Sequence, residues 1–165
     1  MQTKAWGPPT WAFLYLAAKG YPHTLNTSND HQKRKKGMKH LLKSLINTLP
    51  CNLCRKSYKE FICNKRKHPT TYIKDPTHFK NRKNLMKLIY NIHNKVNDKL
   101  CVPKCKRPAF KDVDNFYEQF RASGCNSDSF GCRKAGKNPS VIASINYEPR
   151  ENNTKDYDTQ IPLQK

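Results

Sequence analysis

The chain predicts an all-α fold. Three observations carry this. Apolar residues gather at helical spacing in four separate stretches and again in a shorter fifth. Glycines and prolines stand at the ends of those stretches rather than in regular turns between strands. No segment of useful length alternates apolar and polar residues, and no internal repeat is visible.

Taken in order, Ala12 to Ala18 is mostly apolar and ends before Gly20 and Pro22. Met38, Leu41, Leu42, Leu45, Ile46 and Leu49 then recur on one helical face, and Pro50 stops that helix. A third helix is expected from near Cys51, carrying Tyr58, Phe61 and Ile62. Lys67 to Pro76 contains two prolines and reads as a loop. The longest helix is expected from Phe79 to Leu100, with Leu85, Ile89, Ile92, Val96 and Leu100 as its core stripe. His93 and Asn97 share a second face of it, one turn after Tyr90. Pro103 and Pro108 end it. A short fifth helix carries Val113, Phe116, Tyr117 and Phe120. From Lys134 the apolar periodicity is gone, and Asn152 to Lys165 reads as a disordered tail.

At 165 residues this is one domain with a tail, long enough for a sizeable core. No apolar run approaches the roughly 20 residues of a membrane helix. Trp6 to Leu16 holds Pro8 and Pro9 and no cleavage site, so neither a secretory signal nor a transit peptide is expected. The formal net charge is +20. Its clearest run is Lys33-Arg34-Lys35-Lys36, and the rest is spread along the chain. No base-reading motif accompanies it, so a solvated basic surface is expected rather than a nucleic-acid interface.

Seven cysteines are many for a chain without a signal peptide. They bind metal, are redox-active, or belong to a protein that makes its own oxidising surroundings. Pro50-Cys51-Asn52-Leu53-Cys54 is the most telling segment. Two thiols one helical turn apart can close into a disulfide and reopen. A helix N-terminus, with Arg55, Lys56 and Lys59 close behind, favours the thiolate. The competing reading is half of a zinc site completed by Cys101 and Cys105, within a basic helical module that binds nucleic acid. The spacing Cys101-x3-Cys105 and the lack of a CxxCG knuckle weigh against zinc.

His93, Asn94 and Asn97 are polar residues in the middle of a helix, where asparagine is disfavoured. Their side chains offer donors and acceptors suited to a ring edge or a ribose. Trp6 and Trp11 are the only tryptophans, and each either packs in the core or, for Trp11, lies against a flat cofactor.

Four segments, in order, carry a resemblance. Gly7-x-x-Thr10-Trp11-x-x-Leu14, Gly20-Tyr21-Pro22, Pro50-Cys51-x-x-Cys54 and His93-Asn94-x-Val96-Asn97-x-x-Leu100 resemble the Erv/ALR FAD-linked sulfhydryl oxidases. The likeness covers roughly residues 5 to 125. The compact form looks most like the thiol oxidases of large cytoplasmic DNA viruses. It implies a four-helix bundle around FAD with a short fifth helix, a domain over 1–125 and a largely irregular extension over 126–165. It implies that Cys51 exchanges with the substrate dithiol and that Cys54 is the flavin-proximal thiol. Electrons then pass from FAD to molecular oxygen, releasing hydrogen peroxide. By matched position, Gly7, Thr10, Trp11, Tyr15, His93, Asn94, Val96, Asn97, Lys99 and Leu100 contact FAD, and no metal is required. Partners are thiol-containing protein substrates and a second copy of the chain packed on the first two helices; no membrane is involved. The location implied is the cytoplasm, a viral factory or a virion.

Two positions depart from the family. Tyr15 stands where the family usually has histidine, so it can pack or hydrogen-bond but cannot carry that positive charge. Leu88 stands where it often has tryptophan, which removes an aromatic contact. The family's structural disulfide would be served by Cys105–Cys125 or Cys101–Cys125, stabilising by about 3 kcal/mol in the chain-entropy model. Either the cysteine left over from that pairing forms a second staple with Cys132, or Cys125 and Cys132 form a shuttle disulfide that takes electrons from substrate and hands them to Cys51 of the partner subunit. Cys63 is expected to be a free, partly buried thiol.

Overall fold

A computed structural model describes residues 3–120. Five α-helices follow one another: α1 (Thr3–Lys19), α2 (Asn29–Thr48), α3 (Asn52–Cys63), α4 (Arg82–Lys99) and α5 (Phe110–Glu118). Short 3-10 turns at Pro69–Thr71, Pro76–Phe79 and Lys104–Lys106 punctuate the connections. The only β-type pairing among the described residues is a single bridge between Thr24 and Asn81. The all-α expectation therefore holds. The expected boundary at 125, the tail, Cys125 and Cys132 lie outside the described residues.

α1 packs against α4, α4 against α3, and α3 against α2; α5 closes across α1 and α4. The core runs through all five, from Leu14 and Ala18 on α1 to Tyr117 on α5. Leu42, Ile62, Phe79, Leu85, Met86, Leu88 and Ile89 are fully buried. Burying such side chains supplies the main stabilisation, about 1.5–3 kcal/mol each. Three buried hydroxyls are satisfied across element boundaries. The Tyr58 hydroxyl donates to the Leu42 carbonyl, Tyr21 to Phe79, and Thr71 to Phe61.

Several boundaries differ from the sequence expectation. α1 begins well before Ala12 and contains Pro8 and Pro9. Those prolines lack the N–H groups that would bond the Lys4 and Ala5 carbonyls, so α1 runs through two missing backbone hydrogen bonds in its second turn. α2 begins at Asn29, through the basic run, because Ser28 caps it by accepting the His31 N–H and Asp30 pairs with Arg34 at 2.9 Å. With 20 residues against 18, α2 rather than α4 is the longest helix among the described residues. Phe79 sits in the turn before α4, which starts after its cap Asn81. Leu100 is not in the core stripe: it caps α4 and is 60% exposed. Val96 is half-buried. Cys63, at the last turn of α3, is free but exposed, because Phe61 and Ile62 take the buried face.

One buried charge braces the fold. Lys19, 3% exposed, donates to Asp114 at 2.6 Å and Glu118 at 2.9 Å. It joins the end of α1 to two successive turns of α5.

Candidate active site

The first half of the site is built by the turn into α3. Pro50 follows the end of α2, and Cys51 takes an extended conformation as the cap of α3. A cysteine at that position offers its sulfur to the helix: the Cys54 N–H donates to Cys51 Sγ at 3.2 Å. The next helical turn returns Cys54 to Cys51, and the two are joined as a disulfide with Cα atoms 5.0 Å apart. Both are half-buried, while Leu53 between them is 70% exposed. Arg55 donates to the Leu49 carbonyl at 2.6 Å, holding its charge against the turn.

Ser57, one turn after Cys54, links this turn to α4. Its hydroxyl donates to the Leu53 carbonyl at 2.8 Å and accepts from Lys99 Nζ. Lys99 belongs to the last turn of α4. The cysteine pair and the end of the HNxVNxxL helix are thus joined through one serine.

The second half lies between α1 and α4. The Trp11 ring stacks on His93, with centroids 4.2 Å apart and planes 11° from parallel. The Tyr15 hydroxyl lies 3.2 Å from His93 Nδ1, and its ring stacks on Tyr117 at 4.8 Å. Burial pushes His93 down to about 4, so the imidazole is neutral near pH 7. Burial, with the neighbouring Tyr117 and Tyr90 adding to it, pushes Tyr15 well above the usual phenol range. The pair is therefore a neutral hydrogen bond.

The other expected positions divide. Asn97 donates to Asn94 at 3.5 Å, one turn apart on α4. The Thr10 hydroxyl donates to the Trp6 carbonyl at 2.7 Å, a bond within its own helix. Gly7 borders open space: a Cβ there would meet nothing within 4 Å. Val96 is half-buried against the core, and Leu100 is exposed. The structure thus brings Trp11 and Tyr15 to His93, and Lys99 to the cysteine turn. Gly7, Thr10 and Leu100 are not tied to either group by a side-chain contact across helices.

Sequence reasoning missed four residues. Ser57 stands at helical spacing from Cys54, a signal that marks it as a neighbour but not as a partner of Lys99. Arg107 clamps the turn after α4, donating to the Asp98 carboxylate at 2.6 Å and to the Val102 carbonyl. Tyr117 packs on Tyr15. The Trp6 indole N–H is buried with no hydrogen-bond partner among the described residues. Leu88, the expected loss of an aromatic contact, is a fully buried core residue. Among the described residues no cluster of three or more His, Cys, Asp or Glu side chains is arranged to hold a metal ion. No helix among them is long and apolar enough to cross a membrane.

The family model described as Erv1 / Alr family matches residues 8–121 of the chain. No curated protein and no solved structure matches it.

Proposed function

The chain belongs to the Erv1/Alr family of FAD-linked sulfhydryl oxidases, and from that premise we propose that Cys51 and Cys54 are its catalytic pair. The reaction is the oxidation of paired thiols in protein substrates, with electrons delivered to oxygen as hydrogen peroxide. The disulfide between the two cysteines at the N-terminus of α3 carries this reading. Their bond to each other also supports redox work over a shared zinc site.

A substrate thiolate attacks Cys51, and the Cys51–Cys54 bond breaks. Cys54 leaves as a thiolate while Cys51 holds the substrate as a mixed disulfide. A second substrate thiolate then attacks the mixed disulfide at the substrate's sulfur. The product leaves oxidised, and Cys51 is released as a thiolate able to accept the Cys54 N–H. FAD, when bound, takes the two electrons from the reduced pair and returns them to oxygen.

The residues suit such a group. The buried Trp6 N–H has no hydrogen-bond partner among the described residues, and Gly7 leaves room for close approach. Asn94 and Asn97 engage one another only at the edge of hydrogen-bond distance. Gly7, Thr10, Trp11, Tyr15, His93, Asn94, Val96, Asn97, Lys99 and Leu100 would hold it. The neutral His93, stacked on Trp11, offers a flat uncharged surface. Lys99, held at Ser57, brings a positive charge to the side of α3 that carries Cys54.

Homodimerisation through α1 and α2 belongs to the same reading, supported by Phe13, a large apolar side chain left exposed on α1. A place among the viral members, with cytoplasm, viral factory or virion as location, rests on the four matched segments. The experiment that tests the proposed reaction is dithiol-dependent oxygen consumption by the purified protein, with peroxide measured alongside. Uptake in the wild type and its loss on replacing either cysteine supports it; a protein that consumes no oxygen contradicts it.

A further inference from the structure

We infer that the substrate of Cys51 is an acidic, cysteine-bearing polypeptide that seats an apolar side chain on Leu53. The inference rests on the thiol-oxidase reading and adds a substrate class to it. Leu53 lies between the two cysteines and is the most exposed large apolar residue among those described, at 70%. It has no packing role that would explain a leucine there. Its carbonyl accepts the Ser57 hydroxyl at 2.8 Å, so the turn that presents it is fixed. Leu53 is two residues from Cys51, in the turn that an incoming chain must reach.

Positive charge dominates the sequence around that leucine. Between Asp30 and Glu60 the sequence contains no acidic residue, while the stretch is dense in lysine and arginine. Asn52, Leu53, Lys56 and Lys59 fall at helical spacing on the exposed face of α3. Lys56 and Lys59 have no ion pair among the described residues. The carboxylates of Glu60 on α3 and Asp98 on α4 are occupied: Glu60 pairs with Lys67 at 3.1 Å, and Asp98 with Arg107 at 2.6 Å. Arg55 is held at the turn and Lys99 at Ser57. A segment bearing carboxylates beside its cysteines is drawn to this surface, and a basic one is repelled. An apolar residue beside the attacking cysteine then covers Leu53.

The exchange balances without another oxidant. The substrate's two thiols become one disulfide, the Cys51–Cys54 disulfide becomes two thiols, and two electrons and two protons pass from substrate to enzyme.

The test is single-turnover reduction of the full-length protein, without oxygen, by a set of two-cysteine peptides of equal length. One is acidic with leucine beside the first cysteine, one is acidic with serine in its place, and one is basic. Dithiothreitol serves as the uncharged small control. Peptide disulfide formed per chain is read after rapid quenching. At about 0.05 M salt the acidic leucine peptide is expected to react about tenfold or more faster than the basic one. That gap closes at about 0.5 M salt as the charges are screened. Exchanging the peptide's leucine for serine is expected to slow the wild type more than Leu53→Ser. Equal rates for all peptides, with dithiothreitol still reducing the pair and supporting oxygen uptake, would overturn this inference and leave the oxidase reading intact. Failure of dithiothreitol on both counts would overturn both.

Discussion

The Tyr15 hydroxyl lies 3.2 Å from Nδ1 of His93, across the contact between the first and fourth helices. The same imidazole is stacked on Trp11, so two residues of one helix fix a single ring of another. The tyrosine keeps this corner uncharged. In the tautomer protonated at Nε2, the tyrosine O–H donates to Nδ1 and the second nitrogen keeps its proton.

That arrangement gives stability a defined pH dependence. His93 falls from an ordinary 6.5 to about 4 in the folded chain because burial disfavours its charged form. The unfolded chain therefore takes up the proton first. The contribution is fully present above about pH 6.5 and is lost as pH falls through about 4, on the order of 3 kcal/mol. His78, also lowered by burial, acts in the same direction. Urea unfolding measured between about pH 7 and about pH 4 is expected to show a shallower slope for His93→Gln than for the wild type. Equal slopes would contradict the assignment.

The two cysteines are not equivalent. Cys51→Ser and Cys54→Ser are each expected to lower dithiol-driven oxygen uptake by about a hundredfold or more. When the substrate is offered as its disulfide, the lone Cys51 thiolate of Cys54→Ser is expected to attack it and hold a mixed disulfide, releasing the substrate's second sulfur as a thiolate, and Cys51→Ser is expected to hold less, which intact-mass measurement reads directly. Full oxygen uptake by Cys54→Ser would sink the assignment.

Lys19 is the buried end of a three-residue clamp. Lys19→Met takes the cation from Asp114 and one contact from Glu118, both of which are partly open to water. The expected cost is about 2 kcal/mol, below the roughly 3–5 kcal/mol of a fully buried pair. Amide exchange is expected to rise first in α5, which the clamp holds to α1. A uniform rise over all helices would speak against a local brace.

Leu88 tests whether the second departure from the family can be reversed. The residue is fully buried, so Leu88→Trp adds a ring to a side chain enclosed by the core. A loss of about 1–3 kcal/mol or more is expected in thermal or urea unfolding. An unchanged or more stable variant would show that the core yields there.

Periodicity made the helices legible, and local chemistry made their ends harder to read. Met38 to Leu49 announces the buried half of α2, but its first turns are lysine and arginine and are held by the Ser28 cap rather than by an apolar stripe. Pro8 and Pro9 argue against helix, yet α1 continues through them. Leu100 follows the stripe of α4 in spacing and leaves it in fact, because the helix ends there and Cys101 takes a left-handed backbone, with φ of 56°. At the site, Cys51, Cys54, His93 and Trp11 are visible as motif residues. Ser57 joining Lys99 to the cysteine turn, and Tyr15 meeting His93, are contacts between residues far apart in the chain, which spacing alone does not reveal.

The most direct measurement is the absorbance spectrum of the purified full-length protein, followed by identification of whatever small molecule denaturation releases. A flavin spectrum, about one FAD per chain, and bleaching by excess dithiol without oxygen are the results expected of this site. A colourless protein whose cysteine pair cycles with dithiols but neither binds added FAD nor consumes oxygen would contradict the account.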